Sequence, residues 1–499
     1  MSIGMTTTLR FLSVASALAL CGCGLVGPDY ERPPPATPPT ADFKETMGFR
    51  PALPRDAIDR GPWWTIYGDP ALDQLMAQVD ISNQTLKIAE ATYRQASALI
   101  RQVSSGLYPT LGYSAGATQS GTGALRGGGR TDVSSGQFTT GMTLAWEIDV
   151  WGRIRRTIES DSAAAQASAA DLSAARLSAQ STLAISYFSL RISDARRRLL
   201  EESLAAYGRS VQIVQNQFDA GTASRIDLTQ AQTLYHQTRS QLVAEGIPRA
   251  QFEHAIATLV GRAPGEMGVP PAPLPETVPT IDAGVPSALL ERRPDIAANE
   301  RQMAAANAQI GVAQAAYFPD FTLQASVGFA STFIYQLFQL GSQVWSVGPQ
   351  AAGTLIDGGA RKAQVEGARA NYDRTVATYR QAVLTAFQQV EDALAQQRIL
   401  DEQEQVQRAA AGSARQAEAL AFNQYRAGTI PYTTVIQTQT AALNAELSLL
   451  AVRQSRFTTS TNLVIALGGG WREQDLPAAV PVTGPTTGKA LRKNWWWPF

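Results

Sequence analysis

Residues Arg361 to Arg426 read RKAQVEGARANYDRTVATYRQAVLTAFQQVEDALAQQRILDEQEQVQRAAAGSARQAEALAFNQYR, and these 66 residues decide the fold. They contain no proline, and only Gly367 and Gly412 interrupt a run rich in Ala, Gln, Glu, Arg and Leu, all good helix formers. A single helix of this length would extend about 100 Å. It runs into Ala427-Gly428-Thr429-Ile430-Pro431, where Gly428 suits a helix stop and Pro431 the first turn of the next helix. That second helix is expected to reach Leu467 and to end at Gly468-Gly469-Gly470. A helical hairpin of this size is too long for a compact globular core.

The hairpin occurs twice. Phe218-Asp219-Ala220-Gly221-Thr222 matches Tyr425-Arg426-Ala427-Gly428-Thr429 at an offset of 428 − 221 = 207. Ile148-Asp149-Val150-Trp151-Gly152-Arg153 matches Ile356-Asp357-Gly358-Gly359-Ala360-Arg361 at 356 − 148 = 208. Tyr108-Pro109 matches Phe318-Pro319 at 318 − 108 = 210. Ordered anchors at a nearly constant offset indicate an internal duplication.

Ahead of each long helix the period changes from helical to two. Leu107, Pro109, Leu111, Tyr113, Ala115 and Ala117 alternate with small or polar residues, as do Pro319, Phe321, Leu323, Ala325, Val327 and Phe329. Each run is long enough for a strand to cross a bilayer. The Gly- and Ser-rich segment Ser120–Gly136 reads as a flexible surface loop. It carries no Gly-Lys-Ser/Thr ending of a phosphate loop. The return strand carries Phe138, Met142, Leu144, Trp146 and Ile148 on one parity. Its counterpart near Ser346–Ile356 alternates poorly and contains Pro349, so a bulge or irregular end is expected there.

The 499 residues carry no net charge, which removes a nucleic-acid partner recognised through overall basicity. No apolar run of membrane-helix length follows the N-terminus, which says nothing against membrane β-strands. Arg10 and the apolar run Phe11–Leu20 read as an export signal. Leu20-Cys21-Gly22-Cys23 resembles a bacterial lipobox, with Cys23 as the acylated residue. Gly24, where an inner-membrane retention signal would have aspartate, points to the outer membrane.

The chain then divides into a signal peptide over 1–22 and a lipid-anchored segment over 23–82. A first repeat spans 83–261, with a strand hairpin at 107–148. An insertion over 262–294 precedes the second repeat, 295–468, which has its strand hairpin at 317–356; residues 469–499 form a tail. The anchored segment, the insertion and the tail are expected to wrap the rod partway along its length. Four strands cannot close a barrel, since single-chain outer-membrane barrels begin at eight, and open edges are forbidden in lipid. Three chains would supply twelve strands, with Ala163-Ala164-Ala165 and Ala167-Ser168-Ala169-Ala170 suited to close helix packing in a matching helical cylinder.

On these residues the chain resembles the TolC-like outer-membrane efflux protein family, in the lipoprotein branch that serves drug-efflux systems. Cys23 with Val26-Gly27-Pro28-Asp29-Tyr30, Trp63-Trp64 and Gly68-Asp69-Pro70 carry the resemblance. So do Glu291-Arg292-Arg293-Pro294-Asp295-Ile296, Ala305–Ala313 before Tyr317-Phe318-Pro319, and Ala466–Trp471. The resemblance implies a homotrimer with a twelve-stranded β-barrel in the outer membrane, continued by a long α-helical tunnel. It also implies a periplasmic adaptor and an inner-membrane pump as partners.

It further implies a constriction at the hairpin tips, around the turns Gly221-Thr222 and Gly428-Thr429. By position, Tyr425 matches a family tyrosine three residues before the turn glycine. Asp227 matches an aspartate six residues after the first turn glycine, and the two belong to a closing network. Thr434 and Gln437 stand where acidic rings can form in relatives, and Ile430 where one member has arginine. Arg225 and Arg426 are nearby cations that could substitute. A plainer role for Asp227 is to serve the first turn of its helix. No catalytic constellation, nucleotide motif or cofactor motif appears, and His236 and His254 lack companions at metal-ligand spacing. The function implied is an exit duct for small toxic compounds. The alternatives are a duct for secreted proteins and, in a different class, a coiled-coil adaptor, which would leave the duplicated strand hairpins unexplained.

Overall fold

The computed structural model describes residues 25–34, 44, 62–126, 129–279, 281, 293–469, 471 and 476–478. The signal segment, Cys23, most of the proline-rich stretch, Glu291-Arg292 and most of the C-terminal tail lie outside the described residues.

Two helices of equal length dominate: α3 (Arg153–Asp219) and α7 (Ala360–Arg426), each of 67 residues. Each starts after a left-handed glycine, Gly152 or Gly359, which cannot cap by side chain. An upstream aspartate does so instead. Asp149 accepts from Ile154 N (3.1 Å) and Arg155 N (2.9 Å), and Asp357 from Gly359 N (3.0 Å) and Arg361 N (3.1 Å). The repeated Ile-Asp pair therefore marks a capping aspartate at both helix starts, although the two reach different backbone groups.

The remaining helices are shorter. They are α1 (Pro70–Ser82), α2 (Gln84–Ser104), α4 (Arg225–Ala244), α5 (Gly246–Leu259), α6 (Pro294–Ala315) and α8 (Tyr432–Ala466). In the second repeat, α6 leads into the sheet and α8 returns along α7. In the first, the return path breaks in two at Glu245-Gly246, so the halves are not identical. Pro431 occupies the N-cap of α8 and not its first turn. Its φ of −71° with ψ of 155° is extended, and the helix begins one residue later than the sequence pattern predicts. The alanine-rich runs of α3 are used within the chain. Ala163, Ala165, Ala167 and Ala170 are buried, and Ala170 packs with Ala297 and Ala298 of α6. Nearby, Gln309 donates to Ser160 Oγ at 2.9 Å.

The four strands β1 (Thr110–Arg126), β2 (Gly129–Ile148), β3 (Asp320–Ser331) and β4 (Gln343–Ala352) form one antiparallel sheet in the order β1-β2-β3-β4. The loop expected over Ser120–Gly136 is instead ladder: pairing continues to Arg126↔Gly129. Backbone hydrogen bonding needs no side-chain pattern, so Gly, Ser and Thr can extend a hairpin past the point where alternation fades. The bulge expected near Pro349 is also absent. The register runs unbroken from Asp320↔Ala352 to Phe329↔Gln343; within one chain β4 pairs on one side only, where proline is tolerated. Regular pairing ends at Ala352, short of Ile356, so the irregular end is real.

Register brings the apolar parities of both repeats onto one face. Tyr113, Met142, Val327 and Trp345 stand in one row across all four strands, and Leu111, Leu144, Ala325 and Val347 in the next. The opposite face carries Ser114, Gly141, Gly328 and Val344, then Gly112, Thr143, Ser326 and Ser346. All four helix junctions lie at one end of the sheet.

Partway down the rod, the largest hydrophobic cluster joins Trp63, Trp64, Tyr67 and α1 to Tyr187 and Phe188 of α3 and Phe457 of α8. Phe188 stacks on Phe457 at 4.6 Å. Asp69 caps α1 through Ala71 N (2.9 Å), while its other oxygen accepts from the Tyr187 hydroxyl (2.6 Å). Met267, Leu274 and Val278 of the insertion pack on the same cluster. Arg293 pairs with Asp295 at 2.6 Å and donates to Gln389 Oε1 at 2.8 Å.

Candidate gate at the helical tips

Each long helix ends in the same way. Thr222 N donates to Gln217 O at 2.8 Å and Gly221 N to Phe218 O at 2.9 Å; Thr429 N donates to Gln424 O at 3.0 Å and Gly428 N to Tyr425 O at 2.9 Å. This double bond pattern requires a left-handed residue, and both glycines have φ of +74°. The threonine hydroxyls repeat the bond, Thr222 Oγ1 to Gln217 O (3.0 Å) and Thr429 Oγ1 to Gln424 O (2.9 Å). The tips are thus rigid and equivalent in backbone, and they differ in side chains.

The tips enclose a small apolar cluster of Val214, Leu228, Ala231, Tyr432 and Val435, with Phe218, Tyr425 and Ile430 against it. Tyr425 stacks obliquely on Tyr432 at 5.0 Å, and its hydroxyl donates to Gln217 Oε1 at 2.5 Å. That bond joins the end of α7 to the end of α3, tying one hairpin to the other. Deeper in the seam, the Tyr207 hydroxyl donates to Gln439 O (3.0 Å) and Gln439 Nε2 to Ser210 Oγ (3.4 Å). Burial pushes the Tyr425 hydroxyl upward, with the Asp227 charge adding to it. Burial and the neighbouring Tyr425 push Tyr432 up to about 12. Both phenols therefore stay protonated at neutral pH and can donate.

Asp227 has a full local role. Its carboxylate accepts from Ser224 N (3.2 Å) and Ser224 Oγ (2.7 Å), and Asp227 N donates to Ser224 Oγ (3.1 Å). This is a reciprocal capping box at the start of α4. Within one chain, the Asp227 charge acts on the Tyr425 hydroxyl, but the two share no hydrogen bond. The Arg225 guanidinium lies over the Phe218 ring at 5.6 Å. Arg426 is exposed and has no ion partner among the described residues. Thr434 N is used within the first turn of α8, donating to Pro431 O at 3.2 Å, and Gln437 is exposed. Gln217, Tyr207, Ser210 and Gln439 escaped the sequence reading, since nothing local marks them. Ile226, in the first turn of α4 beside Arg225, is apolar and 67% exposed.

The profile of the outer membrane efflux protein family matches residues 75–262 and 285–469, one segment for each repeat. The chain is 30% identical over 474 residues to a probable efflux pump outer membrane protein, TtgC, of Pseudomonas putida, covering 94% of this chain and 97% of that protein. It is 29% identical over 469 residues to a probable outer membrane lipoprotein, SilC, of Salmonella typhimurium, covering 93% and 99%. Among solved structures, the outer-membrane channel OprN superposes with a TM-score of 0.81 at 30% identity, covering 89% of this chain and 99% of that one. Duplicated 67-residue helices, a two-faced sheet and these full-length likenesses agree: the chain belongs to the outer membrane efflux protein family.

Proposed function

We propose that three copies of this outer-membrane efflux channel assemble into the exit duct of a tripartite pump, working with a periplasmic adaptor and an inner-membrane pump. The observation that carries this is the open sheet. Edges β1 and β4 are unpaired in the single chain, one face is apolar and the other small and polar. Lipid leaves no water for those edge groups, so each must pair with a neighbouring chain. Three four-stranded sheets close a twelve-stranded barrel with the polar face inward, and the long helices continue the passage. The chain performs no chemistry of its own; the pump supplies energy and selects the small toxic compounds exported. Chemical crosslinking in membranes is expected to stop at three chains. A stable pore-forming monomer would overturn the architecture.

The setting of residues 25–29 supports the reading of Cys23 as a lipid anchor. Arg156, 2% exposed, donates to Val26 O (3.1 Å) and Gly27 O (3.1 Å) and pairs with Asp29 (2.9 Å). Val26 N donates to Trp151 O at 3.2 Å. A Cβ on Gly27 would lie 2.4 Å from Gly311 Cα, so the strap can sit this deep only as glycine. These bonds hold the residues after Cys23 beside the junction of sheet and helices, the level of the inner leaflet in this reading. Mass spectrometry of the mature N-terminus should show an acylated Cys23, and Cys23→Ser should weaken sorting more than folding. An unmodified terminus elsewhere in the chain would defeat the assignment.

The duct is closed at rest by the tips. Asp227 and Arg225 on the first tip and Tyr425 and Arg426 on the second supply polar closure, with Ile430, Tyr432, Thr434 and Gln437 also on the second tip. The Tyr425–Gln217 bond is the part of that closure contained in one chain, and opening separates the hairpins it joins.

A further inference from the structure

The β3–β4 connection, residues 332–342, is short, uncharged and unusually apolar: Phe333, Ile334, Tyr335, Leu337, Phe338 and Leu340 lie within it. Phe338 is 75% and Leu340 90% exposed. This loop lies at the end of the sheet away from the helices, where the neighbouring β1–β2 hairpin is mostly Gly, Ser, Thr and charged residues, with Ala124, Leu125 and Val133 its apolar members over 120–136. A loop projecting into water on the outer surface has no reason to be the apolar one of the two.

Three observations say what covers it. First, the loop folds toward the apolar face of the sheet. Phe338 packs edge-on against Phe329 at 5.7 Å, and Phe329 has the parity of Val327 and Leu323, the lipid-facing row. Second, its backbone is closed on itself. Gln336 N donates to Phe333 O (3.1 Å), Leu337 N to Ile334 O (3.3 Å), Gln339 N to Gln336 O (3.1 Å) and Ser342 N to Gln339 O (2.9 Å), while Ser342 Oγ donates to Gln336 O (2.8 Å). Irregular backbone beside hydrocarbon must satisfy itself in this way. Third, the height fits. From Phe321 to Phe329 a strand rises about 26 Å, or about 20 Å along the membrane normal at the usual tilt, close to the ~25 Å apolar band of such barrels. The inner end of that band already carries Tyr108, Trp146, Trp151, Tyr317 and Phe318, with Trp151 stacked on Phe318 at 4.5 Å.

We propose that residues 332–342 seat in the outer leaflet of the membrane at the headgroup–acyl boundary, forming the outer aromatic girdle of each protomer while the β1–β2 hairpin projects beyond it. The partner is a lipid surface, and the inference rests on the membrane-crossing reading of the sheet. Nitroxide labels at Tyr335→Cys and Leu340→Cys test it in protein reconstituted into phospholipid vesicles, with unsubstituted protein as the labelling blank. Tyr113→Cys, on the apolar face, is the lipid reference, and Ser120→Cys, on the projecting hairpin, the water reference. Collisions with dissolved oxygen should exceed those with a water-soluble nickel chelate several-fold at Tyr335, Leu340 and Tyr113, and the order should reverse at Ser120. Labels at Tyr335 and Leu340 that behave like Ser120 would place the loop in water and overturn the proposal. Immobile labels shielded from both reagents would place it against a neighbouring protomer and also overturn it. If Tyr113 too reports water, the membrane-crossing sheet itself fails, and that result is distinct from failure of the loop alone.

Discussion

A channel carrying Tyr425→Phe together with Asp227→Ala is expected to show larger single-channel conductance than the parent and to admit large antibiotics such as vancomycin into cells. Tyr425→Phe removes the bond from α7 to Gln217 on α3 and changes almost nothing else, because the ring still packs on Tyr432. A partly wet bond of this kind is worth about 0.5–1.5 kcal/mol. Repeated in three chains it totals ~3 kcal/mol, or about a hundredfold in the ratio of closed to open. That is strong enough to hold a resting duct shut and weak enough for a partner to reverse. Asp227→Ala removes charge from the constriction but also breaks the Ser224 capping box, so it carries a cost of ~1 kcal/mol in the first turn of α4. The single variants separate these effects. Tyr425→Phe alone should open the channel without fraying α4, and hydrogen exchange at Ile226–Leu228 should report fraying only with Asp227→Ala. Unchanged conductance in an intact trimer would move the gate to the apolar contacts of Ile430 and Tyr432.

The second large effect concerns Glu404, a carboxylate buried within the helical rod. Its oxygens accept from Arg408 at 2.6 Å and from Arg456, which also pairs with Asp401 at 2.6 Å. Arg453 lies 3.8 Å away and donates to Pro275 O (2.9 Å) and Glu276 O (3.1 Å), so the cluster also holds the insertion against α8. Removing one partner from a buried ionic cluster leaves the other charges uncompensated, at about 3–5 kcal/mol. Asp401 remains beside Arg456 and the arginines are partly wet, so Glu404→Ala is expected near the lower end, ~3 kcal/mol. The denaturant midpoint of the trimer measures it, and a midpoint within error of the parent would show the cluster to be energetically idle. Burial by itself would raise the Glu404 pKa, but hydrogen bonds from Arg456 and Arg408 outweigh it and hold the group below its ordinary 4.5. A carboxylate with a depressed folded pKa contributes stability that is complete above its ordinary value and lost as pH falls through the depressed one. Acid should therefore cost the parent more stability below pH 4.5 than it costs Glu404→Gln.

Much of this protein is written locally. Helix length follows from propensity and from the absence of proline between Arg361 and Arg426, and the stops at Gly221 and Gly428 from the left-handed conformation those turns require. The alternation at Leu111–Ala117 and Phe321–Phe329 determined which strand face is apolar, and two open hairpins per chain already point to a shared barrel. Local signals failed where pairing itself made the structure. The ladder through Ser120–Gly136 and the regular edge strand through Pro349 rest on backbone bonds that leave no mark on side-chain periodicity.

Tertiary structure alone decided which distant residues meet. The β2–β3 register sets Met142 beside Val327 and merges the two repeats into one surface. The packing of α8 against both α3 and α7 brings Tyr425 to Gln217 and Arg456 to Glu404, and Arg156 closes on Val26, Gly27 and Asp29. Arg456 and Glu404 stand 52 positions apart in the chain, and the other pairs named 127 or more. Propensity and period act over one or two turns of chain and carry no information about where a rod of 67 residues passes its neighbour; that depends on the packing of whole helices, which only the folded chain fixes.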